Sequence, residues 1–181
     1  MPESDRPVAG ALFDTVIGTC AVAWTDIGIV RFLLPERTPA ATRTILLRSG
    51  ARESEPPEPI ARAIAAVQEH LRGALDDLRW IPLDQNRSPE FHRAVYDVTR
   101  AIDPGRTLSY GQVAERIGAP GAAQAVGQAL GHNPIPLIVP CHRVLAADHA
   151  LHGFSAPGGL TTKERLLEIE RTPGFGEPML F

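Results

Sequence analysis

SYGQVAERIGAPGAAQAVGQALG, residues 109–131, decides how the second half of this chain is read. Ser109 and Gln112 stand in S-x-x-Q register, in which a serine and a glutamine three residues on satisfy each other's free backbone donors at a helix start. The short helix they open stops at Gly118, a residue suited to the left-handed turn that closes helices. Ala119-Pro120-Gly121 then turns the chain tightly into a second helix, which runs to about Gly131. Two short helices across a glycine-containing turn of three to four residues are the sequence form of a helix-turn-helix. Ala122, Ala123, Ala125, Gly127 and Ala129 give the second helix a thin face. Such a face suits close approach to a narrow groove, and it suits tight helix packing equally well.

Working outward, Ser88-Pro89 reads as an N-cap with a first-turn proline, opening a helix through Phe91, Val95, Val98 and Ile102 that Asp103-Pro104-Gly105 stops. Thr161 and Glu164 form a second capping box, before a helix through Leu166, Leu167 and Ile169. The first half is different in kind. Three β-like runs occupy 12–17, 21–24 and 29–34, the last two joined by a turn-type spacer at 25–28 that predicts a hairpin. Residues 40–48 are expected to be helical, and ARESEPPEPI (51–60) is a Pro- and charge-rich loop. Ile60, Ala63, Ile64 and Val67 fall at helical spacing within 59–71. Residues 80–83 are extended and LDQNRSP reads as a linker; Trp24, Trp80 and the apolar stripes are assigned to the core. The fold class expected is α+β. A small three-stranded antiparallel sheet with helices (11–83) is joined by a linker (84–88) to a mostly helical domain with the helix-turn-helix (89–171), flanked by a disordered tail at 1–10 and a tail at 172–181.

The 181 residues are 44% hydrophobic and 22% charged, enough to bury a core, and no run is long or apolar enough to span a bilayer. The opening MPESDRPVAG lacks the apolar stretch of a signal peptide, so a soluble cytoplasmic protein is expected. Two cysteines cannot make a disulfide framework, and in a reducing compartment both are free thiols. Net charge is −3, and residues 89–171 carry eight Lys/Arg against eight Asp/Glu. Any binding to DNA therefore works by shape and local placement, without a strong field.

One cysteine sits in VPCHRV (139–144), behind a branched apolar run and between a rigid proline and an imidazole. The thiolate is the nucleophilic form, and a neighbouring imidazole or backbone dipole raises its population. A buried structural cysteine is the competing reading. Adjacent side chains seldom face each other, so activation of Cys141 by His142 needs a tight turn or a bridging water. The context favours chemistry. Asn133-Pro134-Ile135-Pro136 follows the second helix almost without spacer, its prolines forcing an extended path and Asn133 able to satisfy turn backbone groups. A nucleophile so close to a groove-entering helix suggests a reaction on nucleic acid.

SYGQVAERIG (109–118), AAQAVGQALGHNPIPLIVPCHRV (122–144) and GFSAPGGLTTKERLLEIE (153–170) together resemble the O6-alkylguanine-DNA alkyltransferases, or methylated-DNA–protein-cysteine methyltransferases. The motifs occur in order with family spacing over roughly 88–170, whereas 11–83 resembles the family's smaller, ribonuclease H-like N-terminal domain only loosely. The resemblance implies DNA repair by direct reversal, an irreversible single-turnover transfer of a methyl or other alkyl group from O6 of guanine to Cys141, with O4 of thymine a further candidate. It implies a monomer binding double-stranded DNA in the minor groove through Ser109, Ala123, Gln124, Ala125 and Gly127, with the damaged base flipped into a pocket. His142 would take the thiol proton through a water and Glu170 would hold His142. Tyr110 would give a proton to the departing guanine and Asn133 would brace the turn, while Arg143 would tie the loop down. Val144, Phe154, Ser155, Gly158 and Gly159 would line the pocket, with Phe154 stacking where the family often carries tyrosine. No cofactor is implied and no glycine-rich cofactor turn follows a strand.

The chain departs from the family at Gln124, where an arginine usually enters the base stack; glutamine is shorter and uncharged. Loop 153–160 is longer than the shortest family versions, which leaves pocket size open. No zinc site is visible: Cys20 reads as a strand-core thiol, with His70 far along the chain, and His92, His132, His149 and His152 are assigned no role. Two other functions compete with repair. A lesion sensor or regulatory DNA-binding protein of the same fold would need no thiol, and a cysteine hydrolase with a Cys–His–Glu triad would need no helix-turn-helix.

Overall fold

In the computed structural model, which describes residues 6–151, 154 and 156–176, strands β1 (Ala9–Thr15), β2 (Gly18–Trp24) and β3 (Ile29–Leu33) form an antiparallel meander. Strand alternation explains its two faces. Cys20, Val22 and Trp24 of β2 point into the main core, while Ala21 and Ala23 point the other way, beneath Leu46 of α1 (Pro39–Arg48). The small side chains on that second face let α1 lie close. Helix α2 (Glu58–Leu71) covers the main-core face with Ile60, Ala63, Val67 and Leu71, spaced as one helical stripe.

The sheet has a fourth member. Strand β4 (Arg52–Glu53) pairs parallel with β1, giving the order β3-β2-β1-β4, and it lies inside the segment expected as a loop. Two exposed polar residues carry no alternation signal; the pairing comes from α1 returning the chain beside β1, where the Arg52 and Ser54 amides donate to the Val8 and Gly10 carbonyls. β1 itself begins at Ala9, inside the segment expected as a disordered tail.

The second half contains α3 (Glu90–Arg100), α4 (Tyr110–Arg116), α5 (Ala123–Gly131) and α6 (Leu160–Ile169), with α3 and α4 both packed on α5. A short parallel pair, β5 (Leu108–Ser109) with β6 (Val144–Leu145), ties the start of the helix-turn-helix to the strand leaving Cys141. The halves share one core, which runs from Cys20 through Val95 and Val126 to Leu166. Residues after Leu83 are stitched to the sheet as well. Asp84 N donates to Ile29 O at 2.7 Å, and Thr25 Oγ1 donates to the Asp84 carboxylate at 2.6 Å. No described helix is long and apolar enough to cross a membrane.

Three local expectations need correction. Trp80 is 45% exposed rather than core: its Nε1 donates to Asp76 and Arg62 lies over its ring at 5.5 Å. The cap of α3 is Pro89, not Ser88, and no side chain caps it. Helix α6 starts one residue before the expected capping box, behind Gly159 at φ +55°, because the Thr162 hydroxyl donates back to Pro157 O (2.6 Å) and closes the first turn.

Candidate active site

The helix-turn-helix forms where the sequence places it. Gln112 N donates to Ser109 Oγ (3.0 Å) and Ser109 N donates to Gln112 Oε1 (2.8 Å), the reciprocal capping box that sets Tyr110 as the first residue of α4. Gly118 and Gly121 turn the chain at φ +74° and +85°. Val126, Ala129 and Leu130 of α5 are buried, leaving Gln124 and Gln128 one turn apart on the exposed face with Ala123 and Ala125 half-buried beside them. Gly127 turns the other way: a Cβ there would meet the Tyr110 ring at 3.9 Å. At Gly127 and Ala129 the thin face therefore serves helix packing.

Beyond α5 the chain is wound into a closed loop by Asn133. Its Nδ2 donates to Val139 O (2.9 Å), its Oδ1 accepts from Ile135 N (3.0 Å), and Leu137 takes a left-handed φ of +74° within the loop. Cys141, His142 and Arg143 follow as one 3-10 turn, with Cys141 N donating to Val139 O and Arg143 N to Pro140 O. That tight turn sends the three consecutive side chains to different places, all buried.

Cys141 is 8% exposed and borders a cavity of about 150 Å³. Asn133, Phe154 and Pro157 line it from the second half. Phe32, Leu34 and Glu36 line it from β3 and the segment after it, a wall the sequence did not suggest. Val144, Gly158 and Gly159 are not among its lining residues. The Val144 carbonyl accepts from Lys163 Nζ at 2.8 Å, and Gly158 turns at φ +81° where a Cβ would strike Thr162. Ser155 and His152 lie outside the described residues. Burial pushes the Cys141 thiol up, against the pull of the Asn133 side chain, the Lys163 charge and nearby backbone amides.

His142 points away from solvent into a charge cluster. Its Nε2 lies 2.9 Å from Glu170 Oε1, and its Nδ1 is buried without a partner among the described residues. Burial lowers its basicity, and the Glu170 carboxylate opposes that. Arg143 clamps Glu170 with one edge of its guanidinium, NH2 to Oε1 at 2.7 Å and Nε to Oε2 at 2.9 Å, while its NH1 donates to Ile102 O. His70, from α2, adds a third donor to Oε1 at 3.0 Å. Burial alone would raise the Glu170 carboxyl; His142, Arg143 and His70 together hold it far below the usual carboxylate range. Tyr110 is half-buried, and burial followed by the Cys141 charge pushes its phenol up, so it keeps its proton at neutral pH.

Sequence reasoning missed Lys163 and His70. Lys163 is buried and lies 5.9 Å from the centroid of the Tyr110 ring. Its signal was present, since Lys163 stands three and four residues before the core residues Leu166 and Leu167 on the buried stripe of α6. Among the described residues no three His, Cys, Asp or Glu side chains cluster as metal ligands.

Comparison with known proteins identifies the family and the fold. The family model for the 6-O-methylguanine DNA methyltransferase DNA-binding domain matches residues 90–172. The chain is 40% identical over 158 residues to a methylated-DNA–protein-cysteine methyltransferase of Mycolicibacterium paratuberculosis, covering 87% of this chain and 89% of that one. It is 35% identical over 168 residues to the Mycobacterium tuberculosis protein of the same name, covering 93% and 95%. The crystal structure of Mycobacterium tuberculosis OGT in complex with DNA superposes with a TM-score of 0.72 at 35% identity, covering 90% of this chain and 93% of that one.

Proposed function

The chain belongs to the methylated-DNA–protein-cysteine methyltransferase family, and on that premise we propose that it repairs DNA by taking a methyl or other alkyl group from O6 of guanine onto Cys141 Sγ. The observation that carries this reading is the thiol of Cys141 at the edge of a cavity, next in the chain to a buried His142 whose Nε2 is held on Glu170 and whose Nδ1 has no partner among the described residues.

The steps follow from the groups in place. His142 Nδ1 accepts the thiol proton through a bridging water, and its Nε2–H stays on Glu170, which stabilises the imidazolium. The thiolate attacks the alkyl carbon in line with the O6 bond, the C–S bond forms as the C–O bond breaks, and the electron pair leaves with guanine. Tyr110, held as a neutral phenol, supplies a proton to the departing base. A thioether has no good leaving group, so each molecule reacts once. Gln124 on the exposed face of α5 is positioned to meet duplex DNA, and the minor groove is the contact expected of that helix, with the lesion flipped toward the cavity.

The test is incubation with a duplex carrying O6-methylguanine, followed by intact mass and peptide mapping. One methyl group added, located on Cys141 and absent from Cys141→Ala, is the expected result. Binding without added mass would replace repair with lesion sensing, and turnover of acyl substrates would indicate a hydrolase. Replacing His142 with phenylalanine should slow transfer by roughly 10²–10⁴-fold, the usual contribution of a positioned general base.

A further inference from the structure

The carboxylate that holds His142 is itself held from the first half of the chain, by a residue that no step above uses. His70 sits in the last turn of α2, 100 residues before Glu170, and is buried. Its two ring nitrogens have different partners. Nδ1 lies 3.1 Å from the backbone N–H of Asp76, and an amide can only donate, so Nδ1 accepts. In a neutral imidazole the proton then rests on Nε2, which points at Glu170 Oε1 from 3.0 Å. His70 therefore donates to the carboxylate, and it has no nitrogen left to take a proton while the Asp76 bond stands.

This matters because Oε1 is the oxygen that His142 uses. It collects His70 at 3.0 Å, His142 at 2.9 Å and Arg143 at 2.7 Å, while Arg143 Nε reaches Oε2. A histidine buried only to fill space would not converge with the base and its clamp on one oxygen atom. We propose that His70 is a positioning residue for the alkyl transfer, anchoring Glu170 from α2 so that the carboxylate keeps the Nε2–H of His142 and leaves His142 Nδ1 open as the base. The proposal rests on the alkyl-transfer reading above and extends it to the first half of the chain.

The charges facing His142 define the expected pH effect. They are Glu170 at the end of α6, Arg143 on its own turn, and His70 from α2, with Cys141, Lys163 of α6 and Tyr110 of α4 around the thiol. By donating to Oε1, His70 shares that oxygen's negative charge, as Arg143 does, and so works against protonation of His142. Without that donor, Glu170 binds the His142 imidazolium more strongly. His142 then keeps its proton to higher pH, and since only neutral His142 can act as base, the acidic limb of the rate profile moves up.

The experiment uses the full chain as wild type, His70→Phe (similar in size, with no donor) and His70→Gln (a donor retained). Single-turnover methyl uptake from an O6-methylguanine duplex is followed by intact mass across acidic to alkaline pH, with melting temperature and duplex affinity measured alongside. His70→Phe is expected to react about tenfold more slowly (about 1.4 kcal/mol) with its acidic limb displaced upward, and His70→Gln to recover both. Variants that react as wild type, or that slow equally with an unmoved limb, would make His70 a packing residue and overturn the proposal. Should His70→Phe fail to fold, ¹⁵N shifts of the wild-type His70 ring decide. A proton on Nε2 with an accepting Nδ1 supports the anchor, and the reverse tautomer overturns it. Wild type that takes up no methyl defeats the function reading and this inference together, whereas reactive wild type with indifferent variants defeats the inference alone.

Discussion

Arg143→Met removes the clamp on Glu170 while keeping most of the side-chain volume. Arg143 is buried and gives three hydrogen bonds: NH2 to Glu170 Oε1 at 2.7 Å, Nε to Oε2 at 2.9 Å, and NH1 to Ile102 O at 2.5 Å. Methionine replaces none of them. Glu170, itself buried, keeps only two histidine donors on Oε1, and both Oε2 and the Ile102 carbonyl lose their Arg143 donors. Removing one partner of a buried ion pair costs about 3–5 kcal/mol, because a charge is left without compensation. For a chain of this size that is a fall in melting temperature of about 6–20 °C. Calorimetry of the purified variant measures it directly. The cost should shrink when the stranded charge is also removed, so Arg143→Met/Glu170→Gln should be more stable than the two separate losses predict, by about 0.5–3 kcal/mol. A loss below about 1 kcal/mol, or strict additivity in the double variant, would show that Arg143 and Glu170 are not coupled as described.

Stability should also fall with acid through His142. Burial holds its pKa below the unfolded value, so its contribution is full above about pH 6.5 and is lost as pH falls, by at most about 1.4 kcal/mol per pH unit. Glu170, depressed much further, adds its own loss only below about pH 4, so urea midpoints that stay flat between about pH 7 and pH 5 would contradict the His142 assignment. Gln124→Arg should raise single-turnover uptake from duplex DNA about tenfold by giving α5 a guanidinium to insert and stack, without changing reaction with the free modified base; no change or a fall on duplex would count against it. The two thiols should differ sharply toward iodoacetamide. Cys20 is fully buried with its pKa pushed up to about 12, whereas Cys141 borders the cavity, so peptide mapping should find Cys141 labelled first and faster at alkaline pH.

What could be read from sequence was local. The Ser109–Gln112 box, the glycine turns at 118 and 121 and the Asn133 loop each rest on residues a few positions apart, and each formed as expected. The hairpin at 25–28 is of the same kind, with Thr25 N donating to Gly28 O. Two of the local readings failed where a second local bond competed: Thr162 reached back to Pro157 and displaced the box at Thr161, and Asp76 drew Trp80 to the surface by its indole N–H. The contacts that complete the site were illegible for another reason. His70 and Glu170 are 100 residues apart, and the cavity wall at Phe32 belongs to a strand whose alternation predicts only that one face is buried, not what covers it.

That division bears on how a single-use thiol is kept until it is needed. Burial acts on Cys141 and His142 in opposite directions on the pKa scale but toward the same outcome, since it raises the thiol and lowers the imidazole. Both therefore rest neutral, and no thiolate–imidazolium pair stands ready. The thiol is a poor nucleophile, so the proton must move as part of the reaction rather than before it. In the proposed relay, what makes that movement affordable in a buried site is Glu170, held by Arg143 and His70 and touching His142 at the nitrogen opposite the one that would receive the proton. The burial comes in part from β3 and α2 in the first half of the chain, and so does one of the fixing donors. On the proposed mechanism, reactivity at Cys141 is thus a property of both halves together, although the motif that announces it is six residues long.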